Sequence, residues 1–492
     1  MTNGARHKVL HVTVEMAPLE KQGGLGDVLG ALPKSLVRSG EVDARVLLPA
    51  YPGVIENVEK FGYNCVRLPH RIHVALDWRV YSASVMQVEI DGVCVYLLDQ
   101  PELFTNPKVY PMSLTSESAL PFVFLAYAAL ELPMVANWRP GIFHVHDWSA
   151  AILPLALRWH RHYKKMADSF DVVLTLHNLA HQGILDSAAI ASWGFGSEAL
   201  SLEGMEFYGQ ANILKGAALS CDAITTVSPH YSWDIQTPDG GFGLHGVFSK
   251  LRNRLVGILN GIDYDVWSPA TDPSLPATYD KTNLAGKEIC RKKLFELCNW
   301  TDDDRPVLLF VGRLVQQKGV DIMLNMLEWQ LTQSCRAVVI GSGMPQYESW
   351  TEYLHRTHPD AFWSFTGFDE EIAHLAYAGS DILMMPSLFE PCGLSQMIAM
   401  AYGTVPVVRN TGGLADTVID FDGSSDGTGF IFSDYSADEL GHAVNRAIAA
   451  YYDKPRWHEA MINAMSADFS WDSATKAYIG MYDGLRNGDY LG

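Results

Sequence analysis

The feature that most restricts the fold of this chain is the regular alternation of short apolar runs with helical patterns. The apolar runs are "VLHVTV", "ARVLLP", "VCVYLL", "IFHVH", "VVLTLH" and "AITTVS", followed by "PVLLFVG", "RAVVIG", "FWSFTG", "DILMMP" and "TVPVVR". Most are continuously apolar, which is typical of strands covered on both faces. Among the helical patterns, Val320, Met323, Leu324 and Leu327 share one helix face. Strands alternating with helices predict α/β units and parallel sheets.

A break between about 260 and 305 divides the strands into two series. It opens with "NGIDYDVWSPATDPSLPATYDKTNLAG", which is rich in Asn, Asp, Pro and Gly and is typical of a crossing between domains. We therefore predict an α/β protein with two Rossmann-like, doubly wound domains, an N-terminal one over 1–258 and a C-terminal one over 259–465. Such sheets bind ligands beyond the carboxyl ends of their strands, so an interdomain cleft is the expected active site.

Composition excludes several classes of partner. With 36 basic and 56 acidic residues the formal net charge is −20, so neither nucleic acid nor an anionic membrane is an expected partner, whereas a neutral polymer is. The seven cysteines are scattered, which predicts reduced thiols. The N-terminus "MTNGARHKVLHV" lacks a signal-peptide pattern, and no apolar run approaches the roughly 18 residues of a membrane span. We expect a cytoplasmic protein, with a processed plastid form as the alternative; its oligomeric state stays open.

The stretch "EKQGGLGDVLGALPKSL", residues 20–36, follows the first apolar run. Glycines after a strand let backbone N–H groups approach a phosphate, and the helix that follows adds its N-terminal dipole. Lys21 adds a positive charge in the same loop. The spacing of Gly23, Gly24 and Gly26 does not fit GxGxxG, which argues against a nicotinamide dinucleotide site. A tight strand-to-helix turn with a solvated lysine is the alternative.

Two cations follow the strand "PVLLFV" in the second half. Arg313 and Lys318, in "VGRLVQQKG", lie at a strand end and just before a helix, where both can reach a diphosphate. Guanidinium binds phosphate through two donors and lysine adds a point charge. A departing nucleoside diphosphate gains charge as the sugar bond breaks, so fixed cations stabilise the transition state more than the ground state. Alone, the pair could equally be part of a solvated loop.

A carboxylate follows the strand "DILMMP". Glu390, in "FEPCGLSQ", can accept hydrogen bonds from sugar hydroxyls and favour positive charge at an anomeric carbon, while the N–H groups of Cys392, Gly393 and Leu394 can meet sugar or phosphate. A helix-capping carboxylate is the alternative. The related stretch "NTGGLADTV", 410–418, nearly repeats the first glycine loop. There we expect Asp416 and Thr417 to start a helix, with Gly412 and Gly413 as backbone contacts only.

Eight motifs in order resemble the bacterial glycogen synthase and plant starch synthase family. They are "KQGGLGDV", "HVHDW", "TLHNLAHQG", "VSPHY", "LNGIDYDVWSP", "VGRLVQQKG", "FEPCGLSQMIAMAYGTVPVVRNTGGLADTV" and "FSWDSATKAY", and they span nearly the whole chain. The resemblance implies a GT-B glycosyltransferase whose last helix, here 466–492, crosses back to the first domain. It also implies retaining transfer of glucose from ADP-glucose to the non-reducing end of an α-1,4-glucan such as glycogen, starch or a maltooligosaccharide.

The resemblance also implies a set of site residues. Catalytic roles fall to His177, Glu390, Arg313 and Lys318, with His177 stabilising an oxocarbenium-like sugar. Donor contacts are expected from Lys21, Gly23, Gly24, Asn260, Arg313, Lys318, Tyr377, Glu390, Cys392, Gly393 and Leu394. Acceptor or sugar contacts are expected from Asp27, Asp147, Asn178, Gln182, Asn212 and Lys215.

Two positions depart from common family patterns. Ile398 stands where many related retaining transferases carry a second Glu, although plant starch synthases similarly carry Ile there. His181 stands where relatives often carry Tyr. Retaining glycosidases need two carboxylates, one of them a nucleophile. No such nucleophile is evident in these motifs, so we expect front-face transfer in which the leaving phosphate takes the acceptor proton.

Some alternatives stay open at this point. A catalytically silent glucan-binding protein and a UDP-glucose-using synthase share the expected fold, whereas glycogen phosphorylase would need a pyridoxal phosphate lysine motif that is not apparent. His144 and His146 share a strand face, but no further ligand cluster accompanies them, so no metal is expected. Beyond the donor substrate itself, no cofactor is expected.

Overall fold

The computed structural model describes residues 7–105, 109–331, 334–367 and 369–489. The chain forms two compact units. The first runs to Val227, resumes over Ser232–Asn260 and takes up the chain again from Trp471, while the second comprises Ser228–Tyr231 and Gly261–Ser470. Among the described helices, none has the length and apolarity needed to cross a membrane.

The first unit is built on a sheet with a parallel centre. Its strands, together with those of a small separate sheet, are β1 (His7–Val12), β2 (Val42–Pro49), β3 (Cys65–Arg67), β4 (Ile72–Leu76), β5 (Arg79–Ile90), β6 (Val93–Asp99), β7 (Ile142–His146), β8 (Asp171–Leu176), β9 (Ile184–Asp186), β10 (Glu206–Phe207), β11 (Gln210–Asn212), β12 (Ala223–Thr226) and β13 (Leu255–Gly257). The main sheet has the order β13-β12-β8-β7-β1-β2-β6-β5-β3, with β4 on β5. From β13 to β6 the pairs are parallel. The strand order therefore reverses between β1 and β7, which makes their carboxyl ends a switch point.

An antiparallel extension on this sheet was not predicted. β5 pairs antiparallel with β6, β3 and β4. The small sheet of β9, β11 and β10 is also antiparallel. The parallel-sheet prediction therefore holds for the centre of the first unit and is incomplete at one edge.

Helices fill the connections of both units. Up to the break they are α1 (Gly24–Arg38), α2 (Pro52–Lys60), α3 (Leu120–Val135), α4 (Asp147–Ala150), α5 (Ile152–Trp159), α6 (Ala189–Ser192), α7 (Ile213–Ala218), α8 (Pro229–Asp234) and α9 (His245–Lys250), with 3-10 turns at Tyr163–Ser169, Ser197–Ala199 and Arg252–Arg254. α3 is buried on every side from Phe122 to Leu130, because it is apolar all round.

The second unit has a wholly parallel sheet. Its strands are β14 (Val307–Val311), β15 (Arg336–Gly341), β16 (Phe362–Thr366), β17 (Ile382–Met385), β18 (Val405–Arg409) and β19 (Phe430–Phe432). They lie in the order β16-β15-β14-β17-β18-β19, and each pair is parallel. This is the 3-2-1-4-5-6 order of a Rossmann sheet, so the prediction of a doubly wound domain is confirmed here.

Helices cover both faces of the second sheet. They are α10 (Ala285–Cys298), α11 (Val320–Gln330), α12 (Pro345–Thr357), α13 (Glu370–Gly379), α14 (Ser395–Ala401), α15 (Gly412–Thr417), α16 (Ala437–Tyr452) and α17 (Lys454–Ser466), with a 3-10 turn at Gln316–Lys318. The face predicted for α11 is confirmed, because Val320, Met323, Leu324 and Leu327 are all fully buried.

The last helix, α18 (Trp471–Asn487), packs in the first unit rather than the second. Thr475 Oγ1 lies 2.7 Å from Ser35 Oγ on α1, and Asp483 Oδ1 lies 2.8 Å from His7 Nε2 on β1. These bonds join the end of the chain to its first strand and first helix.

Candidate active site

In the second unit, three of the predicted residues follow the two strands that flank the switch point of the sheet. The strand order of this sheet reverses between β14 and its neighbour β17. Arg313 and Lys318 follow β14, and Glu390 follows β17. Because parallel strands end at the same edge, these three side chains are placed where doubly wound sheets bind their ligands.

Lys318 and Glu390 form a direct ion pair. Lys318 Nζ lies 2.6 Å from Glu390 Oε2, which also accepts a hydrogen bond of 3.0 Å from Ser387 Oγ. The Glu390 side chain is almost fully buried, whereas Lys318 is partly exposed and Arg313 is exposed. The carboxylate thus holds one cation in a defined place, and the other cation faces solvent.

The loop after Glu390 presents backbone donors. Gly393 has φ +74, and Gln396 Nε2 donates to the carbonyls of Cys392 and Gly393 at 3.1 and 2.9 Å. Within the described residues, the N–H groups of Gly393 and Leu394 have no acceptor. With their carbonyls held by Gln396, these amides remain available to an anion or a sugar oxygen.

The second glycine loop packs directly on this turn. Gly413 N donates to Glu390 O at 3.0 Å. A Cβ at Gly412 would overlap Glu390 O, and one at Gly413 would overlap Cys392 O. The glycines at 412 and 413 are therefore required by the close approach of two backbones, and they fix the position of the Glu390 loop.

The expectation for Asp416 and Thr417 was wrong. α15 begins at Gly412 and ends at Thr417, so the two residues close this short helix instead of starting one. Asp416 Oδ2 accepts from the backbone N of His230 at 2.7 Å, and Thr417 Oγ1 donates to Gly413 O at 2.7 Å. Asp416 therefore accepts a hydrogen bond from the first turn of α8. The sequence around Asp416 does not indicate this contact.

The expectation that the Tyr377 side chain contacts the donor is also corrected. Its side chain is 2% exposed, and its ring meets Trp267 edge-on with centroids 5.8 Å apart. Tyr402 lies on another side at 6.3 Å. The ring is part of the aromatic core of the second unit and offers no open face.

In the first unit, the loop after β1 is organised by a residue that the sequence analysis missed. Glu15 is buried, and its Oε2 accepts from the backbone N of Gln22 and Gly23 at 2.6 and 2.9 Å. Its Oε1 accepts from the Tyr110 hydroxyl at 2.6 Å. The prediction that the Gly23 amide meets a phosphate is therefore corrected, because an internal carboxylate already occupies it. A Cβ at Gly23 would face open space.

The neighbouring residues of the same loop remain partly accessible. Lys21 Nζ lies 2.6 Å from Asp27 Oδ1, and both side chains are about one-third exposed, at 35% and 30%. Gly24 is the first residue of α1, and Asp27 stands in its first turn. An acidic side chain there complements the helix dipole.

Asp147 and His177 follow the adjacent strands β7 and β8. Asp147 has φ +55, and its Oδ1 accepts from the backbone N of His177 at 2.7 Å and of Asn178 at 3.4 Å. Desolvation raises the pKa of Asp147 to about 7, partly offset by these two backbone bonds. The carboxylate joins two strand ends and orients His177. Asn178 is partly exposed beside them, with Oδ1 accepting from Ala180 N at 3.1 Å.

Behind His177 lies a chain of buried histidines. His177 Nε2 is 3.0 Å from His146 Nδ1, and His146 Nε2 is 3.0 Å from His11 Nδ1. Burial lowers the pKa of His11 and of His177 to about 3 and that of His146 well below its ordinary value, so these rings are neutral. His11, on β1, is a member that the sequence analysis missed.

His11, His144 and His146 lie close enough to share a metal ion, with one nitrogen of each within 4.8 Å of the others. His144 Nδ1 is already paired with the Tyr482 hydroxyl at 2.8 Å and Nε2 with Thr175 Oγ1 at 2.6 Å. Both nitrogens of His146 face other imidazoles. Because ligation would have to break these bonds, the hydrogen-bonded network is the better description of the cluster.

Three residues that were expected to contact sugar instead form hydrogen bonds within the first unit. Asn212 caps α7 and donates to Gln182 Oε1 at 2.6 Å, while Gln182 Nε2 donates to the carbonyls of Leu179 and Phe242 at 3.1 and 3.0 Å. Lys215 Nζ donates to two backbone carbonyls, and its pKa is lowered by desolvation. We therefore correct the prediction that Gln182, Asn212 and Lys215 bind acceptor.

Asn260 is buried at the end of the first unit. Its backbone N donates to Val227 O at 3.2 Å, and its Oδ1 is buried without a hydrogen-bond partner among the described residues. A buried acceptor without a donor is costly, so this oxygen stays a candidate for a contact made only with ligand.

These features together define a class of protein: two Rossmann-type units, each with polar side chains at the switch point of its sheet, as in the GT-B glycosyltransferases. The sequence model described as "Starch synthase catalytic domain" matches residues 8–250, and the one described as "Glycosyl transferases group 1" matches 299–463. The chain belongs to the family of bacterial glycogen synthases and plant starch synthases.

Individual relatives match over nearly their whole length. A glycogen synthase from Thermodesulfovibrio yellowstonii is 37% identical, with 97% of this chain and 98% of the relative covered. One from an Anaeromyxobacter species is 39% identical, with 97% and 99% covered. The solved catalytic domain of starch synthase IV from Arabidopsis thaliana, bound to ADP and acarbose, is 31% identical and superposes with a TM-score of 0.91, covering 99% of this chain and 100% of that domain.

Proposed function

We propose that this protein transfers glucose, with retention of configuration, from ADP-glucose to the non-reducing end of an α-1,4-glucan. The observation that carries the proposal is the ion pair of Lys318 and Glu390 at the switch point of the second sheet, where Arg313 follows the same strand as Lys318. Two cations, one exposed and one held by a carboxylate, suit a diphosphate that gains charge during the reaction.

The proposed donor residues contact different parts of ADP-glucose according to their chemistry. Arg313 and Lys318 bind the diphosphate, the amides of Gly393 and Leu394 donate to phosphate or sugar oxygens, and Glu390 accepts from sugar hydroxyls through its free lone pairs. Lys21 is a further proposed contact of the donor. Because the Ser387 hydroxyl and Lys318 hold Glu390 on one oxygen, the carboxylate is oriented before the sugar arrives.

The chemical step is a front-face substitution. The bond between the anomeric carbon and the phosphate oxygen breaks, a bond from that carbon to the acceptor hydroxyl oxygen forms on the same face, and the hydroxyl proton passes to the leaving phosphate. Glu390 is paired with Lys318, and Asp147 accepts backbone N–H groups. Neither carboxylate is arranged as a nucleophile, which supports a scheme without a glycosyl–enzyme intermediate.

The acceptor is assigned to the first unit. His177 and Asn178 stand partly exposed at the end of β8, and Asp147 and Asp27 stand at neighbouring strand and helix ends. Side chains of this kind hydrogen-bond sugar hydroxyls. We place the enzyme in the cytoplasm and propose that it needs no metal or other cofactor.

The test is a transfer assay with labelled donors. Purified protein is given a maltooligosaccharide primer and either ADP-[14C]glucose or UDP-[14C]glucose, and labelled glucan and released nucleotide are measured. We expect incorporation from ADP-glucose, equal molar release of ADP, and α-anomeric product by 1H NMR. Lys293→Ala, an exposed lysine on α10, is the matched control for Lys318→Ala. A protein that binds glucan but releases no ADP would support the silent binding protein instead.

A further inference from the structure

The histidine chain carries an inference that rests on the proposed function, since His177 meets the reacting sugar only there. His11, His146 and His177 are joined by two hydrogen bonds of 3.0 Å each. A neutral imidazole has one N–H and one acceptor nitrogen. Once the direction of one bond in the chain is set, the direction of the next is set as well.

Only two arrangements satisfy both bonds. In the first, His11 Nδ1–H donates to His146 Nε2, His146 Nδ1–H donates to His177 Nε2, and the proton of His177 stands on Nδ1. In the second, every bond is reversed: His177 donates through Nε2–H, its Nδ1 is a bare acceptor, and His11 carries its proton on Nε2.

The far end of the chain distinguishes the two arrangements. His11 is fully buried, and its Nε2 has no hydrogen-bond partner among the described residues. The second arrangement would leave a buried N–H without an acceptor at this atom, whereas the first leaves only a lone pair. Buried N–H groups without acceptors are the rarer of the two in folded proteins.

We propose that His11 is a positioning residue that acts through His146 to hold His177 as its Nδ1–H tautomer. His177 then presents an N–H donor, from the nitrogen turned away from His146, to a hydroxyl of the transferred sugar. No proton is transferred along the chain during the reaction. Asp147 fixes the backbone of His177 and the histidine chain fixes the polarity of its ring.

Two variants of His11 separate this role from simple packing. In His11→Asn the amide nitrogen stands as many bonds from Cα as Nδ1 does, so a donor to His146 Nε2 is kept. His11→Leu is similar in size and removes the donor. We expect kcat to fall about tenfold or more in His11→Leu and to be largely retained in His11→Asn, with KM for ADP-glucose little changed in both. Equal losses in the two variants would overturn the proposal.

The tautomer itself is read by 15N NMR on histidine-labelled protein, assigned with His177→Gln. The proposal requires the His177 proton on Nδ1 in the wild type and a mixture of tautomers in His11→Leu. A wild-type proton on Nε2 would refute it. This readout needs no turnover, so a protein with the expected tautomer but no glucosyl transfer would refute the proposed function alone. A thermal melt and ADP binding by each variant confirm that the fold is kept.

Discussion

At the scale of single residues, the sequence motifs indicated the surroundings of the polar side chains more fully in the second unit than in the first. Lys318 and Glu390 form an ion pair after the strands β14 and β17, and Arg313 follows the same strand as Lys318. The role of Glu15 was not predicted, because it depends on a turn that brings the amides of Gln22 and Gly23 back to it. The network of His11 likewise comes from a neighbouring strand, which no local spacing reveals.

The ion pair at the second sheet yields the first prediction. Lys318→Ala removes a cation beside the leaving diphosphate, and we expect kcat/KM to fall by about 100-fold or more. Glu390→Gln keeps the shape but removes the charge that holds Lys318, and it should also lower turnover by orders of magnitude. Steady-state kinetics with ADP-glucose measures both. A melting curve confirms folding, and wild-type rates in either variant would contradict the assignment.

A second prediction concerns the pH dependence of stability at Asp147. Its pKa is raised to about 7, so between about pH 4 and pH 7 the folded state binds a proton that the unfolded state has released. The contribution of this group to the free energy of unfolding therefore falls as pH rises through that window. Denaturant titrations of wild type and Asp147→Asn should show the wild type losing stability relative to the variant from pH 5 to pH 7.

The Asp147→Asn comparison has a built-in control for backbone strain. Asn tolerates the left-handed conformation found at this position, and its Oδ1 can still accept from His177 N. A stability difference between the two proteins that is independent of pH would show that the carboxyl group does not titrate in this range.

At the scale of elements, the continuously apolar strands could be predicted from the sequence, whereas strands that alternate buried and exposed residues were not predicted. Each of the eleven apolar runs overlaps a strand of one of the two main sheets. β4, in contrast, alternates buried and exposed residues and belongs to the antiparallel edge. The predicted break, about 260 to 305, has few regular elements between 258 and 284, where Pro and Gly are frequent, and then contains α10.

The approach of α15 to the Glu390 loop gives a third prediction. Gly412→Ala would place a methyl group against the backbone of Glu390 at a residue with φ +46. We expect a loss of about 1–3 kcal/mol in the free energy of unfolding, together with lower turnover, because the Glu390 loop must shift. Gly23→Ala is the matched control, since its methyl group would meet open space. Equal stability of the two variants would contradict this account.

At the scale of the whole molecule, both units repeat one design, in which polar groups gather where the strand order reverses. The family motifs did not indicate which of their residues form internal hydrogen bonds. Inside the first unit, Asn212 Oδ1 accepts a hydrogen bond from the backbone N of Lys215, and Lys215 Nζ donates to Gly204 O. Arg313, in contrast, is exposed.

A fourth prediction concerns metals. The proposed reaction uses only side chains and amides, and both nitrogens of His144 and of His146 are engaged. We expect enzyme dialysed against EDTA to keep its full rate, and elemental analysis of the untreated enzyme to find well under one metal ion per chain. Stoichiometric zinc that is lost together with activity would instead favour ligation by His11, His144 and His146.

The placement of α18 limits how the chain can be divided. A fragment that stops at Asn260 contains every strand of the first sheet, yet it lacks the hydroxyl of Tyr482 that pairs with His144 and the carboxylate that pairs with His7. Such a fragment should be poorly soluble when expressed alone and should be rescued by a synthetic peptide of residues 471–487. Newly made protein would thus complete its first unit only after the ribosome has synthesised residues 471–487.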